Sequence, residues 1–390
     1  MDKQKEPRLR FKGFTGAWEK KYLDEIGDFS AGGDIKKEKL TPFGRYPVLA
    51  NALTNNGIVG FYDEYEFESP AITITGRGDV GIAKARKENF SAVVRLLVLK
   101  NKPNYDVDFL EQAINKIDFH IESTGVPQLT VPQCKLYSIY LSSEPEQTHL
   151  GLFFRRLDSL IADSRAVLEK SRQLKKAMLA KMFPANGGKI PKIRFKRFEG
   201  EWECRKFSEV AELRRGLTYR PLDISQNGIR VLRSSNIDEE YYIEKNDDVF
   251  VCERAVNIPL VQNGDILITA ANGSSRLVGK HAIIQTSIPA VHGGFMLLAR
   301  TENPYFLNAS MSSAWYLDFI RFFVAGGNGA IGNLSIGDLN EQEILIPKTS
   351  EEQTAIGNFF RQLDETIALQ AAEVEKLNQL KKGLLAAILV

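Results

Sequence analysis

A segment that occurs twice constrains this chain more than anything else in it. Residues 144–183 align without gaps on residues 350–389 at an offset of 206, with about half the positions identical. Glu146-Gln147-Thr148 returns as Glu352-Gln353-Thr354, and Phe153-Phe154-Arg155 as Phe359-Phe360-Arg361. Leu157-Asp158 returns as Leu363-Asp364, and Gln173-Leu174-Lys175-Lys176 as Gln379-Leu380-Lys381-Lys382. A second repeat lies upstream of each copy. Arg8 to Glu19 comes back as Lys192 to Glu203 at an offset of 184, which places Trp18 on Trp202. Internal repetition at fixed offsets sets an architecture before any local propensity is considered. Between the repeated pieces, residues 28–123 and 212–325 share no alignable identity. The second interval is also longer, 151 positions from Trp202 to Gln353 against 129 from Trp18 to Gln147. Uniform drift after a duplication would have eroded everything alike. The contrast implies one frame used twice around two different fillings.

Each long repeat reads as a helix. Ser143-Glu144-Pro145-Glu146 and Thr349-Ser350-Glu351-Glu352 offer a hydroxyl N-cap with a Glu three residues later, a capping box. Apolar residues follow at helical spacing: Leu150, Phe154, Leu157, Ile161, Leu168, Leu174 and Met178 in the first copy. Ile356, Phe360, Leu363, Ile367, Val374, Leu377, Leu384 and Ile388 follow in the second. About 38 residues at 1.5 Å make a rod of roughly 57 Å. One apolar stripe on so long a helix needs a partner, and the matching copy supplies it as an antiparallel pair. Ser164 and Gln370 interrupt the stripe and are expected to set the register. Both copies end in a basic, apolar tail, Leu174 to Leu179 and Leu380 to Leu385, expected to dock another subunit.

The fillings are rich in strands. Ala71 to Thr75, Val93 to Leu99, Asp265 to Thr269 and Phe295 to Leu298 are β-branched or apolar runs. Helical segments are predicted at Val107 to Ile117 and Ala309 to Phe322. Glycine-bearing loops follow at 124–129 and 326–334, then short strands at Tyr137 to Leu141 and Glu343 to Ile346. The fold class is therefore α+β: two α/β domains, 1–143 and 192–349, separated by antiparallel helices at 144–183 and 350–390, with a linker at 184–191. Loops beside the glycine turns collect residue types suited to DNA. Arg pairs with guanine O6/N7, Asn and Gln pair with adenine N6/N7, and Lys and Ser suit phosphates. In the first domain these are Asn51, Asn55, Asn56, Arg77, Lys84, Arg86 and Gln128. In the second they are Arg230, Arg233, Asn236, Asn272, Ser274, Arg276, Lys280 and Asn333.

Other chemistries find no support. Gly76-Arg77-Gly78-Asp79-Val80-Gly81 follows a strand but lacks the βαβ continuation of a dinucleotide fold. Asn303-Pro304-Tyr305-Phe306 lacks the second proline of the adenine-methyltransferase tetrapeptide, and His292-Gly293-Gly294 has no G-x-S-x-G nucleophile to serve. There is no Walker A lysine. The four histidines and three cysteines have no metal-ligand spacing. The absence of a disulfide framework and of any apolar run near 18 residues points to a reducing cytoplasm and away from a membrane. At 390 residues, 43% apolar, 26% charged and a net charge of +2, the chain has ordinary globular composition, and any polyanion must be met by local patches.

With its two frames, capped helices and Gln-Leu-Lys-Lys tails, the whole chain resembles the specificity subunit of a Type I restriction–modification enzyme. The resemblance implies two target-recognition domains that each read half of a split, asymmetric site on double-stranded DNA, with the helix pair fixing the gap. It implies no catalytic activity and no cofactor in this chain. Two modification subunits would use S-adenosylmethionine to methylate adenine N6, and would carry two ATP- and Mg-dependent restriction subunits where a restricting complex forms. The competing expectation is a duplicated coiled-coil scaffold for protein partners, which the modest net charge favours. Trp18 and Trp202 read as packed aromatic anchors.

Overall fold

Both copies of the long repeat form single helices, Glu144–Met182 and Ser350–Ile388, of 39 residues each. The computed structural model describes residues 5–120, 127–185, 187–324 and 332–390. The helices run antiparallel, held by one ion pair made twice from matched residues. Asp158 Oδ1 lies 2.6 Å from Lys381 Nζ, and Asp364 Oδ1 lies 2.6 Å from Lys175 Nζ. The Leu-Asp and Lys-Lys motifs thus mark the register at two matched points. Lys175 is buried and Leu174 is 45% exposed, the reverse of the predicted stripe. Burial alone would lower the pKa of the Lys175 ammonium, but Glu240 and Asp364 outweigh it and raise it. A cation with two carboxylate partners is stable there where a leucine was expected.

The chain divides into two compact units, residues 1–166 with 371–390, and residues 167–370. Each unit contains a four-stranded antiparallel sheet. In the first its order is Gly27–Ala31, Leu97–Asn101, Ala71–Ile74, Ala83–Arg86; in the second, Glu212–Arg215, Met296–Arg300, Ile266–Thr269, His281–Ile283. Each also has a three-stranded sheet with one parallel pair. The orders are Ile58–Tyr62, Tyr46–Leu49, Ser91–Ala92 and Val249–Val251, Ile224–Leu232, Ala290–His292. A two-stranded ribbon completes each unit, Glu19–Tyr22 with Ser138–Leu141 and Glu203–Lys206 with Glu343–Ile346. Two fillings without alignable sequence thus share one topology. The longer second filling adds a hairpin, Ile237–Asp238 with Tyr241–Tyr242, whose Tyr241 hydroxyl donates to Asp364 at 3.4 Å.

The two repeats meet in each unit through a buried ion pair. Arg10 Nε and Nη2 donate to Glu146 at 2.8 and 2.7 Å, and Arg194 Nε and Nη2 donate to Glu352 at 2.7 and 2.7 Å. The two carboxylates are almost wholly buried. These are the glutamates expected to close capping boxes. Thr349 Oγ1 does accept from the backbone N–H of Glu352 at 3.3 Å, but both carboxylates turn to arginine, because a bidentate charge-assisted pair is stronger than a neutral cap. Trp18 and Trp202 are buried anchors, packed edge-on against Phe109 and Phe306. Gly151 and Gly357 open the helix surface to the docked helices Val107–Ile114 and Pro304–Met311. A Cβ at Gly151 would strike the Asp106 carboxylate, and one at Gly357 would lie 2.7 Å from the Phe306 nitrogen.

The tails do not end on the surface. Leu179, Met182 and Phe183 lie in the core of the second unit, while Ile388 and Leu389 lie in the core of the first with Trp18, Phe109 and Phe154. Leu9 N–H donates to Ala387 O at 3.0 Å, and the matching Ile193 N–H to Lys181 O at 2.9 Å. Each long helix therefore begins against one filling and finishes in the core of the other. Three predicted elements shift. The helix at Val107 stops at Ile114, the second helical segment is broken into Pro304–Met311 and Ala314–Phe323, and the run from Val93 becomes a strand only at Leu97. Positions 124–126 and 326–331 of the glycine loops lie outside the described residues. Leu389→Ala should cost about 2–5 kcal/mol, the range for emptying a buried leucine site. Amide exchange should quicken in Val107–Ile114 and stay unchanged in Pro304–Met311; equal quickening in both helices would contradict the placement of the C-terminus.

Candidate nucleic-acid interface

At one end of each four-stranded sheet, four segments of chain meet in both units, held by backbone hydrogen bonds and by one asparagine amide in each. In the first, Leu129 N–H donates to Gly76 O at 2.9 Å and Arg77 bridges Gln128. Asn51 joins the rest: its Oδ1 accepts from Gly76 N–H at 2.7 Å and its Nδ2 donates to Val94 O at 2.6 Å. In the second, Leu334 N–H donates to Ala270 O at 2.7 Å, and Ala271 pairs with Asn333. Ala270 and Ala271 N–H groups both donate to Phe295 O, and Asn272 Nδ2 donates to Ser234 Oγ at 3.0 Å. Loops with no common sequence are pinned into similar arrangements by peptide groups, common to all residues, together with one asparagine amide in each.

The side chains displayed at the two junctions differ. Arg77 is exposed and Gln128 half-buried at the first; Ser274 and Asn333 are exposed at the second, beside the half-buried Asn272. An open cleft of about 700 Å³ adjoins the second junction. Arg233, Ser234 and Asn272 form its polar rim, and Leu217, Tyr219 and Phe295 line its apolar part. Arginine, asparagine and glutamine beside apolar surface are the groups that read base edges and thymine methyls in the major groove.

Other predicted residues go elsewhere. Asn55 and Asn56 form an exposed turn with positive φ, and Lys84 faces Glu111 at 3.9 Å. Arg276 and Lys280 border a different hollow, with Arg172 and Lys176 of the first long helix. Four of the predicted residues have partners within the fold itself. Asn51 has both ends of its amide engaged as described. Arg86 donates to Thr73 Oγ1 at 2.9 Å and Asn56 O at 3.0 Å, and burial lowers its pKa to about 10. Arg230 is buried against Glu244 and Asp248, with its guanidinium over Phe250. Asn236 is fully buried, accepting from Arg233 N–H at 2.8 Å and donating to Ile243 O and Asp248 at 3.1 and 2.8 Å. Amides and guanidiniums satisfy buried backbone as readily as they read bases, and sequence does not separate the two uses. Arg95 and Phe295, which were not among the predicted residues, are also exposed on turns at the two junctions. Each was hidden inside an apolar run read as strand.

No group of three or more His, Cys, Asp or Glu among the described residues could hold a metal ion, and no described helix is long and apolar enough to cross a membrane. His281 is buried, its Nδ1 2.9 Å from Asn308 Oδ1, and His292 is buried with its Nε2 3.3 Å from Arg214 O.

Asn236→Ala should cost about 2–3 kcal/mol, since it strands buried partners, while Arg276→Ala should leave stability within about 0.5 kcal/mol. Chemical denaturation of both variants checks this; equal losses would mean that burial does not separate the two roles. A pH effect follows from the histidines, because burial holds both below their ordinary 6.5. As pH falls through 6.5 the unfolded chain takes up protons that the folded chain does not, so stability declines until the folded histidines protonate. Melting of the second unit should fall between about pH 7.5 and about pH 5.5. The slope should be shallower in a His281→Gln/His292→Gln double variant; an unchanged slope would remove the histidines as its cause.

Comparison with known proteins agrees with this geometry. A type I specificity subunit of Mycoplasma pneumoniae is 27% identical over 146 residues, 37% of this chain and 40% of that protein. The chain thus spans about two fifths of the length of the first curated relatives it matches. The MjaVIII type I restriction enzyme specificity subunit of Methanocaldococcus jannaschii is 22% identical over 380 residues, 89% of this chain and 85% of that protein. In fold, the chain is similar to the crystal structure of a Type I restriction–modification S subunit from M. genitalium. The TM-score is 0.71 at 18% identity, covering 98% of this chain and 99% of that one. The model of the Type I restriction modification DNA specificity domain matches twice, at residues 16–170 and 199–379, so the chain belongs to that family.

Proposed function

We propose that this chain is the DNA sequence-specificity subunit of a Type I restriction–modification complex. The domains at 1–143 and 192–349 each read one half of a bipartite, asymmetric site on double-stranded DNA. The helices at 144–183 and 350–390 set the spacer and dock two modification subunits. The observation that carries this reading is the pairing of sameness with difference: one topology and one four-way junction, built twice, displaying Arg77 and Gln128 in one unit and Asn272 and Asn333 in the other. A symmetric frame with unlike displays suits an asymmetric target. The exposed Leu174 and Leu380, equivalent positions on the two helices, support docking of a like subunit at each.

The chain itself does no chemistry in this reading. Methyl transfer from S-adenosylmethionine to adenine N6 belongs to the modification subunits, and ATP- and Mg-dependent cleavage to restriction subunits, all in the cytoplasm. The continuous helices support the ruler. Two readers on one face of B-DNA sit about 34–36 Å apart, one helical turn of the duplex, and a rod of roughly 57 Å can hold them there.

Duplex binding by the chain with its modification subunit should weaken steeply with salt, as phosphate contacts displace counterions. Inserting one helical turn near Leu168 should lengthen the tolerated gap by about one or two base pairs, since a turn adds about 5.4 Å against about 3.4 Å per base pair. Both half-sites should stay the same. Methylome sequencing that found altered half-sites with the old gap would overturn the ruler.

A further inference from the structure

The turns that join the three-stranded to the four-stranded sheet, Val93-Val94-Arg95-Leu96 and Gly293-Gly294-Phe295-Met296, occupy the same place in both units. Each is closed by a bond across it, Leu96 N–H to Val93 O at 3.1 Å and Met296 N–H to Gly293 O at 2.8 Å. Each begins at an equivalent parallel bridge, Gly33 with Val93 and Leu217 with Gly293. Each belongs to its four-way junction: Val94 through Asn51, and Phe295 through Ala270 and Ala271.

The first turn is strained. Val94 and Arg95 have φ of 54° and 59°, a region that β-branched residues in particular avoid, at about 1–3 kcal/mol each. The neighbouring backbone holds it there. Val94 N–H donates to Gly33 O at 2.8 Å, Arg95 N–H to Gly32 O at 3.0 Å, and the Asn51 amide caps Val94 O. Gly76 keeps the approach open, because a Cβ there would lie 2.9 Å from Arg95 O. The result is a stiff tip whose Arg95 side chain is exposed and makes no hydrogen bond or ion pair among the described residues. At the same point of the second unit Phe295 is 74% exposed at the mouth of its cleft. Leaving a phenylalanine in water is unfavourable without a partner, and on a rigid mount a free guanidinium has only its side-chain freedom, and no loop freedom, to lose when it binds.

We propose that these two tips are specificity-determining: Arg95 reads a guanine through O6 and N7 in one half-site, and Phe295 packs on a thymine methyl in the other. This rests on the proposed DNA-reading role. The same backbone position then supplies a hydrogen-bonding reader in one domain and an apolar one in the other, so a single turn helps make the two half-sites unlike.

The test uses the full chain co-expressed with its modification subunit, scored by methylome sequencing and by competition binding to duplexes varied one base pair at a time. Arg95→Ala should relax one G·C position of one half-site, by about 5- to 150-fold in discrimination, and leave the other half-site and the gap intact. Arg95→Lys keeps the charge and loses the bidentate fork, so it should relax the same position while the salt dependence stays. Phe295→Ala should relax one A·T position in the other half-site, and Phe295→Leu should restore most of it. Thermal melts of the four variants within a few degrees of the parent keep loss of fold out of the comparison. Both half-sites intact in well-folded Arg95→Ala and Phe295→Ala variants would overturn the proposal. A uniform loss of affinity with a shallower salt slope in Arg95→Ala would overturn it too, by making Arg95 a phosphate contact. If the parent chain defined no bipartite site, the functional reading would fail first, and separately.

Discussion

A carboxylate taken out of water, met by an arginine that closes a fork on it, holds each half of this molecule together. Glu146 and Glu352 stand in the first turns of the long helices, and Arg10 and Arg194 come from the short repeat that enters each filling. Removing one partner of so buried a pair is far more costly than the pair's net worth, because the remaining charge has no solvent. The short and long repeats are therefore one device. Each needs the other to satisfy its buried charge, a physical reason for both to occur together in both copies.

The same logic extends along the helices. Asp158 with Lys381 and Asp364 with Lys175 are one contact made twice, and each recruits a different group from its filling. Gln112 donates to Asp158 in the first unit, and Glu240 and Tyr241 close on Lys175 and Asp364 in the second. A frame with fixed charges accepts unlike domains if each provides one polar group at the right point. Within the domains, topology is kept without sequence because strands are made by peptide groups, and apolar side chains of many shapes fill the cores between them.

Much of this was legible in the residues. The helices, their antiparallel pairing and the buried tryptophans follow from repetition and periodicity. The short strands and the α+β class follow from β-branched runs between turns. What escaped was every case in which a polar group had two physically reasonable homes. Glu146 and Glu352 looked like capping residues and became ion-pair partners. Lys175 looked like a surface charge and is buried, while Leu174 looked like core and is exposed. Asn236 and Arg230 looked like base readers and hold up their own loops. Arg95 was invisible because Val-Val-Arg-Leu-Leu-Val reads as one strand, and only the grip of Gly32, Gly33 and Asn51 bends it into a turn.

The amino-acid sequence by itself determined that one frame is used twice, that its long segments are helices needing each other, and that the two fillings must do different things. These are properties of order along the chain, and repetition and apolar spacing record them directly. The tertiary structure alone decided which side chains are left over. Whether an arginine or an asparagine is free to meet a ligand depends on whether some buried carbonyl, carboxylate or amide elsewhere in the fold has already claimed it. Those partners come from positions 3 to 43 residues away, brought close by the fold and not by order along the chain.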